Sequence, residues 1–116
     1  MKHIEMKIKP CFLDLIKAGK KKHEYRLNTP DRRELSIGDQ ITLVSNENSN
    51  NRLVATITDI STHPNWLDAL NDYWKEDFEG LFNNLDDLIK ECNKFYSPEQ
   101  IRTYGIIRFE INRITK

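Results

Sequence analysis

The chain has 116 residues, 31% of them charged and 38% hydrophobic, with 18 Lys and Arg against 18 Asp and Glu. That length supports a single core, so one domain over 1–116 is expected, and the composition is that of a folded chain and not a disordered one. A net charge of zero argues against a generic polyanion binder, and no apolar run approaches the roughly 20 residues a membrane-spanning helix needs.

Residues 3–9 alternate, with Ile4, Met6 and Ile8 on one face and Glu5, Lys7 and Lys9 on the other, the pattern of a half-buried strand. Pro10 suits the first turn of a helix because it needs no amide donor there. Phe12, Leu15, Ile16 and Leu13 then form an apolar stripe, and Gly19 is placed to end the helix. Residues 22–27 are expected as a strand. A period of two puts Glu24 and Arg26 on one face and His23, Tyr25 and Leu27 on the other. Asn28-Thr29-Pro30-Asp31 reads as a turn, followed by Arg32 and Arg33 on an exposed loop.

Gly38-Asp39 opens a strand over about 40–45. The run 46–51 is a polar hairpin tip, and residues 52–60 return as a strand with apolar residues on both faces, which places it centrally in the sheet. His63-Pro64 is expected to break that strand and begin a helix carrying Trp66, Leu67, Leu70, Tyr73 and Trp74 at helical spacing. The two tryptophans read either as core residues or as base-stacking platforms. His63 reads as a general base or as a capping or surface group. Gly80 ends this region. Asn84 caps a further helix whose buried face is Leu85, Leu88, Ile89, Cys92 and Phe95. Ser97-Pro98-Glu99-Gln100 is a capping box, and that short helix stops at Gly105. The last strand, 106–113, turns Ile107, Phe109 and Ile111 inward. The class is therefore α+β: a small β-barrel of about five to six strands with a helical insertion between the penultimate and last strands, lying across one open end.

Charge is unevenly distributed. Residues 17–33 hold seven Lys and Arg against two acids, whereas 59–91 hold nine acids against two lysines. A phosphate-bearing ligand would approach the first segment. Cys11 and Cys92 match no metal spacing and are expected as buried thiols in a reducing cytoplasm. The N-terminus lacks the apolar stretch of a signal peptide, which also points to the cytoplasm. No Gly-rich phosphate loop, HExxH or Gly-x-Ser-x-Gly elbow is present, and no cofactor or metal is expected.

What carries chemistry is Lys21, Glu24 and Arg26: an ammonium, a carboxylate and a guanidinium within reach of one ligand. They form either an ordinary ion pair on a solvated strand face or a binding cluster. In the cluster, Lys21 and Arg26 donate to a phosphate or base carbonyl and Glu24 accepts from an exocyclic amine. Catalysis by Lys21 as base or nucleophile is the alternative, which Glu24 opposes by favouring the charged ammonium.

Gly19-x-Lys21-x-x-Glu24-x-Arg26 resembles the signature of the ASCH domain family, small proteins with a PUA-like barrel. The likeness extends upstream through Met6–Pro10 into Phe12–Ala18, and downstream through Ile37-Gly38-Asp39 to Tyr104-Gly105-Ile106-Ile107. The resemblance implies an RNA-binding module whose octet lines the ligand cleft, with Tyr104 matching the family's C-terminal tyrosine. RNA, a nucleotide or a nucleoside is thus the expected partner. Arg32 and Arg33 are candidate phosphate contacts beside the octet. One branch of the family hydrolyses N(4)-acetylcytidine with the octet lysine, a hydroxyl residue and a distant glutamate. Lys21 matches that lysine, but Glu24 stands where the branch carries threonine. Asp68, Asp72 and Glu76 lie in the right part of the chain for the third group without matching a motif. Apart from the resemblance, the Lys21 and Arg26 cations could stabilise a phosphorane, so a ribonuclease is the third and weakest reading.

Overall fold

The computed structural model describes residues 1–114. Period-two alternation of apolar side chains builds five strands: β1 (His3–Ile8), β2 (His23–Leu27), β3 (Gln40–Ser45), β4 (Arg52–His63) and β5 (Ile106–Arg113). They form one sheet in the order β1-β3-β4-β5-β2. The β1–β3 pair is parallel and the other three are antiparallel. As its two apolar faces required, β4 is central. It runs three residues beyond the expected end, because Ser61, Thr62 and His63 keep their pairing with Arg108, Ile107 and Ile106.

The two edge strands, β1 and β2, are consecutive in the chain and joined through α1 (Pro10–Lys17). An eight-residue helix spans only about 12 Å, so the sheet must curl to bring its edges together. It does so as a five-stranded half-barrel. One side chain crosses the seam: Arg26 Nη2 donates to the Lys7 carbonyl at 2.8 Å. The edges are not otherwise zipped by a backbone ladder.

The insertion between β4 and β5 holds α3 (Trp66–Leu70), α4 (Trp74–Asp77), α5 (Leu85–Cys92) and α6 (Pro98–Tyr104). The expected continuous helix after Pro64 is two short ones, broken around Asn71–Tyr73. Trp66 and Leu70 are buried; Leu67 faces outward because it is out of phase with Trp66, Ala69 and Leu70 on α3, and Tyr73, in the break, is part-exposed. Asn65, not His63, caps α3 by accepting from the Asp68 amide. Asn84 caps α5 and Ser97 closes a full capping box on α6. Leu88 and Cys92 form the buried stripe of α5, while Phe95 lies past the helix end and is 41% exposed. The expected turn at 28–31 winds into a one-turn helix, α2 (Pro30–Arg33). Cys11 is exposed, contrary to expectation, because it sits on the outer side of α1, out of phase with Phe12, Leu13 and Ile16.

Gly105 makes the sharp return from α6 into β5 at φ +73° and ψ −170°, a region only glycine adopts without strain. A Cβ there would meet the His63 carbonyl oxygen at 2.6 Å. Gly105→Ala is expected to cost about 1–3 kcal/mol, read as a lowered urea midpoint; an unchanged midpoint would mean the turn relaxes freely.

Candidate functional site

The site begins with the end of α1. Gly19 takes φ +78°, and the amides of Lys20 and Lys21 both donate back to the Leu15 carbonyl, at 3.0 and 3.1 Å. This Schellman-type closure fixes Lys21 at the entrance of β2. Its side chain is 1% exposed. The ammonium donates to the His23 carbonyl, lies 3.1 Å from Glu24 Oε1, and sits 5.1 and 5.0 Å from the ring centres of Tyr25 and Phe78. On the same face, Arg26 Nε donates to Glu24 Oε2 at 2.6 Å.

Glu24 therefore stands between two cations in a dry place. Burial works to push its carboxyl pKa up. The charges of Arg26 and Lys21, with their hydrogen bonds, outweigh burial and hold it below the usual carboxylate range. Burial likewise opposes the Arg26 charge, and Glu24 more than compensates. The octet is thus a buried charge triad, not a solvated ion pair.

A second buried carboxylate, Asp77 of α4, supports β2 from the other side. Its Oδ1 accepts from the Lys22 amide at 2.8 Å, and its Oδ2 accepts from the Tyr25 hydroxyl at 2.5 Å and from His23 Nδ1 at 2.9 Å. A carboxylate can only accept, which places a proton on His23 Nδ1. The His23 ring stacks on Tyr73 at 4.2 Å. Burial would raise the Asp77 pKa, but the His23 hydrogen bond and then the Lys21 charge bring it below the ordinary value. The Tyr25 hydroxyl is pushed up, by burial first and by Asp77 second. Sequence reasoning weighed Asp68, Asp72 and Glu76 in this part of the chain and missed Asp77. No local signal separates it from the eight other acids of 59–91.

The Lys21–Glu24–Arg26 triad opens onto a cleft of about 200 Å³. Lys7, Ile8 and Lys9 wall it from the β1 side of the seam; Phe12, Tyr25, Trp66, Phe78, Phe95 and Tyr96 supply aromatic surface. Trp66 stacks on Tyr96 with centroids 5.9 Å apart; it is a core residue, 3% exposed, and it also lines the cleft. Its Nε1 has no partner among the described residues. Cys92 lines the cleft too, with its thiol pushed up to about 12 by burial, which keeps it protonated and unreactive.

The other candidates lie elsewhere. Arg32 Nη1 donates to the Leu27 carbonyl, and the Arg33 guanidinium lies 6.0 Å from the Tyr104 ring. These three residues form a group at the far end of β2 and do not line the cleft. Asp68 bonds His63, Asp72 bonds Arg108, and neither lines it. Among the described residues, no group of His, Cys, Asp or Glu side chains could hold a metal ion, and no helix is long and apolar enough to cross a membrane.

The curled five-stranded sheet with its helical insertion is the α+β architecture of PUA-like ASCH structures. The sequence profile of the ASCH domain matches residues 6–102, and the chain belongs to that family. Among solved structures it is similar to the hypothetical protein PH0355, at 28% identity over 97% of this chain and 99% of that one, with a TM-score of 0.83. It is also similar to the protein PF0455 from Pyrococcus furiosus, at 26% identity over 98% and 99% of the two chains, TM-score 0.76. The ASCH protein from Zymomonas mobilis shares the fold at 16% identity, over 96% of this chain and 67% of that one, TM-score 0.66. No curated protein matches the chain.

Proposed function

We propose that the cleft binds one base of single-stranded RNA, or a free nucleotide or nucleoside, with Lys21, Glu24 and Arg26 reading the base edge. The observation that carries this reading is the buried charge triad at the floor of an aromatic-walled hollow. Each Glu24 oxygen is engaged once and retains a second acceptor position, and Arg26 Nη1 has no hydrogen-bond partner among the described residues. An acceptor beside a donor matches a base edge that presents an exocyclic amine next to a ring nitrogen or carbonyl. A phosphate suits the floor less well, because the ionised Glu24 repels it; Lys7 and Lys9 at the rim are better placed for the backbone. Arg32 and Arg33 would then meet a neighbouring nucleotide only on a strand that runs past the cleft.

Amidohydrolysis is the second reading, favoured by the position of Lys21. Its ammonium, however, is committed to the Glu24 carboxylate and the His23 carbonyl. A lysine held this way is a donor and not a nucleophile.

Titrating short single-stranded RNAs and the four nucleoside monophosphates, with tryptophan fluorescence as readout, tests the first reading. Lys21→Met is expected to weaken binding about tenfold or more, the loss of one charge-assisted hydrogen bond. Affinity for the strand should fall with added salt more steeply than affinity for a nucleoside. Binding unaffected by Lys21→Met would overturn the assignment. Spectral loss of N(4)-acetylcytidine with wild type but not with Lys21→Met would transfer the conclusion to the second reading.

A further inference from the structure

Outside the cleft, the end of β4 carries a hydrogen-bonded chain that neither reading uses. Ser61 Oγ lies 2.8 Å from His63 Nε2, and His63 Nδ1 lies 2.5 Å from Asp68 Oδ1. The carboxylate can only accept, so Nδ1 carries a proton. With the ring neutral, the Ser61 hydroxyl donates to Nε2. That is the direction nucleophilic activation requires.

The period of two puts Ser61 and His63 on one face of β4, and Asp68 reaches them from the first turn of α3 because Asn65 caps that helix. Ser61 also lines a small hollow of about 20 Å³ with its cross-strand partner Arg108. Arg108 is held there by donating from Nη1 to the Ala69 carbonyl and to Asp72, at 3.0 and 3.1 Å, with its guanidinium 4.9 Å from the Tyr73 ring. Arg108 lines this hollow together with the Asp59 and Glu110 side chains, and among the described residues its guanidinium is the one cation there toward which negative charge can develop.

We propose that Ser61, His63 and Asp68 form a second, nucleophilic site that cleaves small acyl esters. The hollow has room for about one water-sized group, so the substrates are confined to the smallest acyl esters, such as acetyl, and the leaving alcohol remains in solvent. In the first step a bond forms between Ser61 Oγ and the acyl carbon. The hydroxyl proton passes to His63 Nε2, and the carbonyl electron pair moves onto its oxygen beside Arg108. Collapse of that adduct breaks the ester C–O bond, and the alcohol departs with the proton from Nε2. Water then attacks the acyl-serine, returning its proton through His63, and the carboxylic acid leaves. Asp68 is a positioning residue that holds the imidazole tautomer.

The test is incubation of the folded protein with p-nitrophenyl acetate, and separately with a fluorophosphonate probe, followed by mass analysis of the labelled peptide. The expected result is release of nitrophenolate above buffer background, with the acyl or phosphonyl group on Ser61. Ser61→Ala, which alters little volume, should return hydrolysis to background. Asp68→Asn should slow acylation about 100-fold or more and change its pH profile. Labelling of wild type needs no variant, so a misfolded mutant cannot decide the outcome. Hydrolysis that persists in Ser61→Ala, label on any other residue, or no label at all would overturn the proposal.

Discussion

Asp77→Ala is expected to lower the unfolding free energy by about 3–5 kcal/mol, because it strands two buried donors and the part-buried Lys22 amide at once. The Lys22 amide, the His23 imidazole and the Tyr25 hydroxyl all donate to this one carboxylate, which is 1% exposed. A domain of this size has about 5–15 kcal/mol in all, so the variant would be marginal. The effect depends on pH. The Asp77 pKa is lowered on folding, so the group contributes its stability fully above the unfolded carboxyl pKa and loses it as pH falls through the lower folded one. Urea unfolding followed by tryptophan fluorescence should therefore show the gap between wild type and Asp77→Ala narrowing below about pH 4. A gap under about 1 kcal/mol, or one that widens in acid, would remove Asp77 as the post that holds β2.

Glu24→Ala is the second large effect, again about 3–5 kcal/mol. It leaves the Lys21 ammonium and the Arg26 guanidinium buried at 1% and 15% exposure with no counter-charge between them. The sign of the pH dependence is the same, since the Glu24 pKa also lies below its ordinary value: the stabilisation is present near neutrality and disappears as acid protonates the carboxylate. A double-mutant cycle separates charge from packing. Lys21→Met should cost less in the Glu24→Ala background than in wild type, by about 0.5–3 kcal/mol of coupling. Strict additivity would mean that the two groups, despite their 3.1 Å approach, do not support one another. The same triad is asked to bind a ligand, which gives a reason for keeping buried charge where an apolar cluster would serve stability as well.

Lys21, Glu24 and Arg26 were legible in the sequence because they are local. Gly19 ends α1, the strand begins at once, and the period of two places Glu24 beside Arg26. The capping box at Ser97, the Asn84 cap and the limits of β5 were legible for the same reason: each is decided by side chains within four residues. Asp77 was not legible. It joins β2 across more than fifty residues of chain, and a carboxylate in an acidic stretch looks like its neighbours until the fold selects it. The broken helix at Asn71–Tyr73, the exposure of Cys11 and Phe95, and the Ser61–His63–Asp68 chain belong to the same class. Each depends on which surface another element happens to cover.

By itself, then, the amino-acid order determined the strands, the capped helices, the central place of β4 and the charge set on β2, since propensity, periodicity and capping act over a few residues. Only the tertiary structure decided that β1 and β2 meet at an unzipped seam, that the seam is roofed by aromatic side chains, and that Asp77 rather than another acid is buried against the other side of β2. The reason is physical. The curl of a sheet and the choice of what it buries are set by contacts between residues distant in sequence, and those contacts leave no periodic trace in the segments that make them.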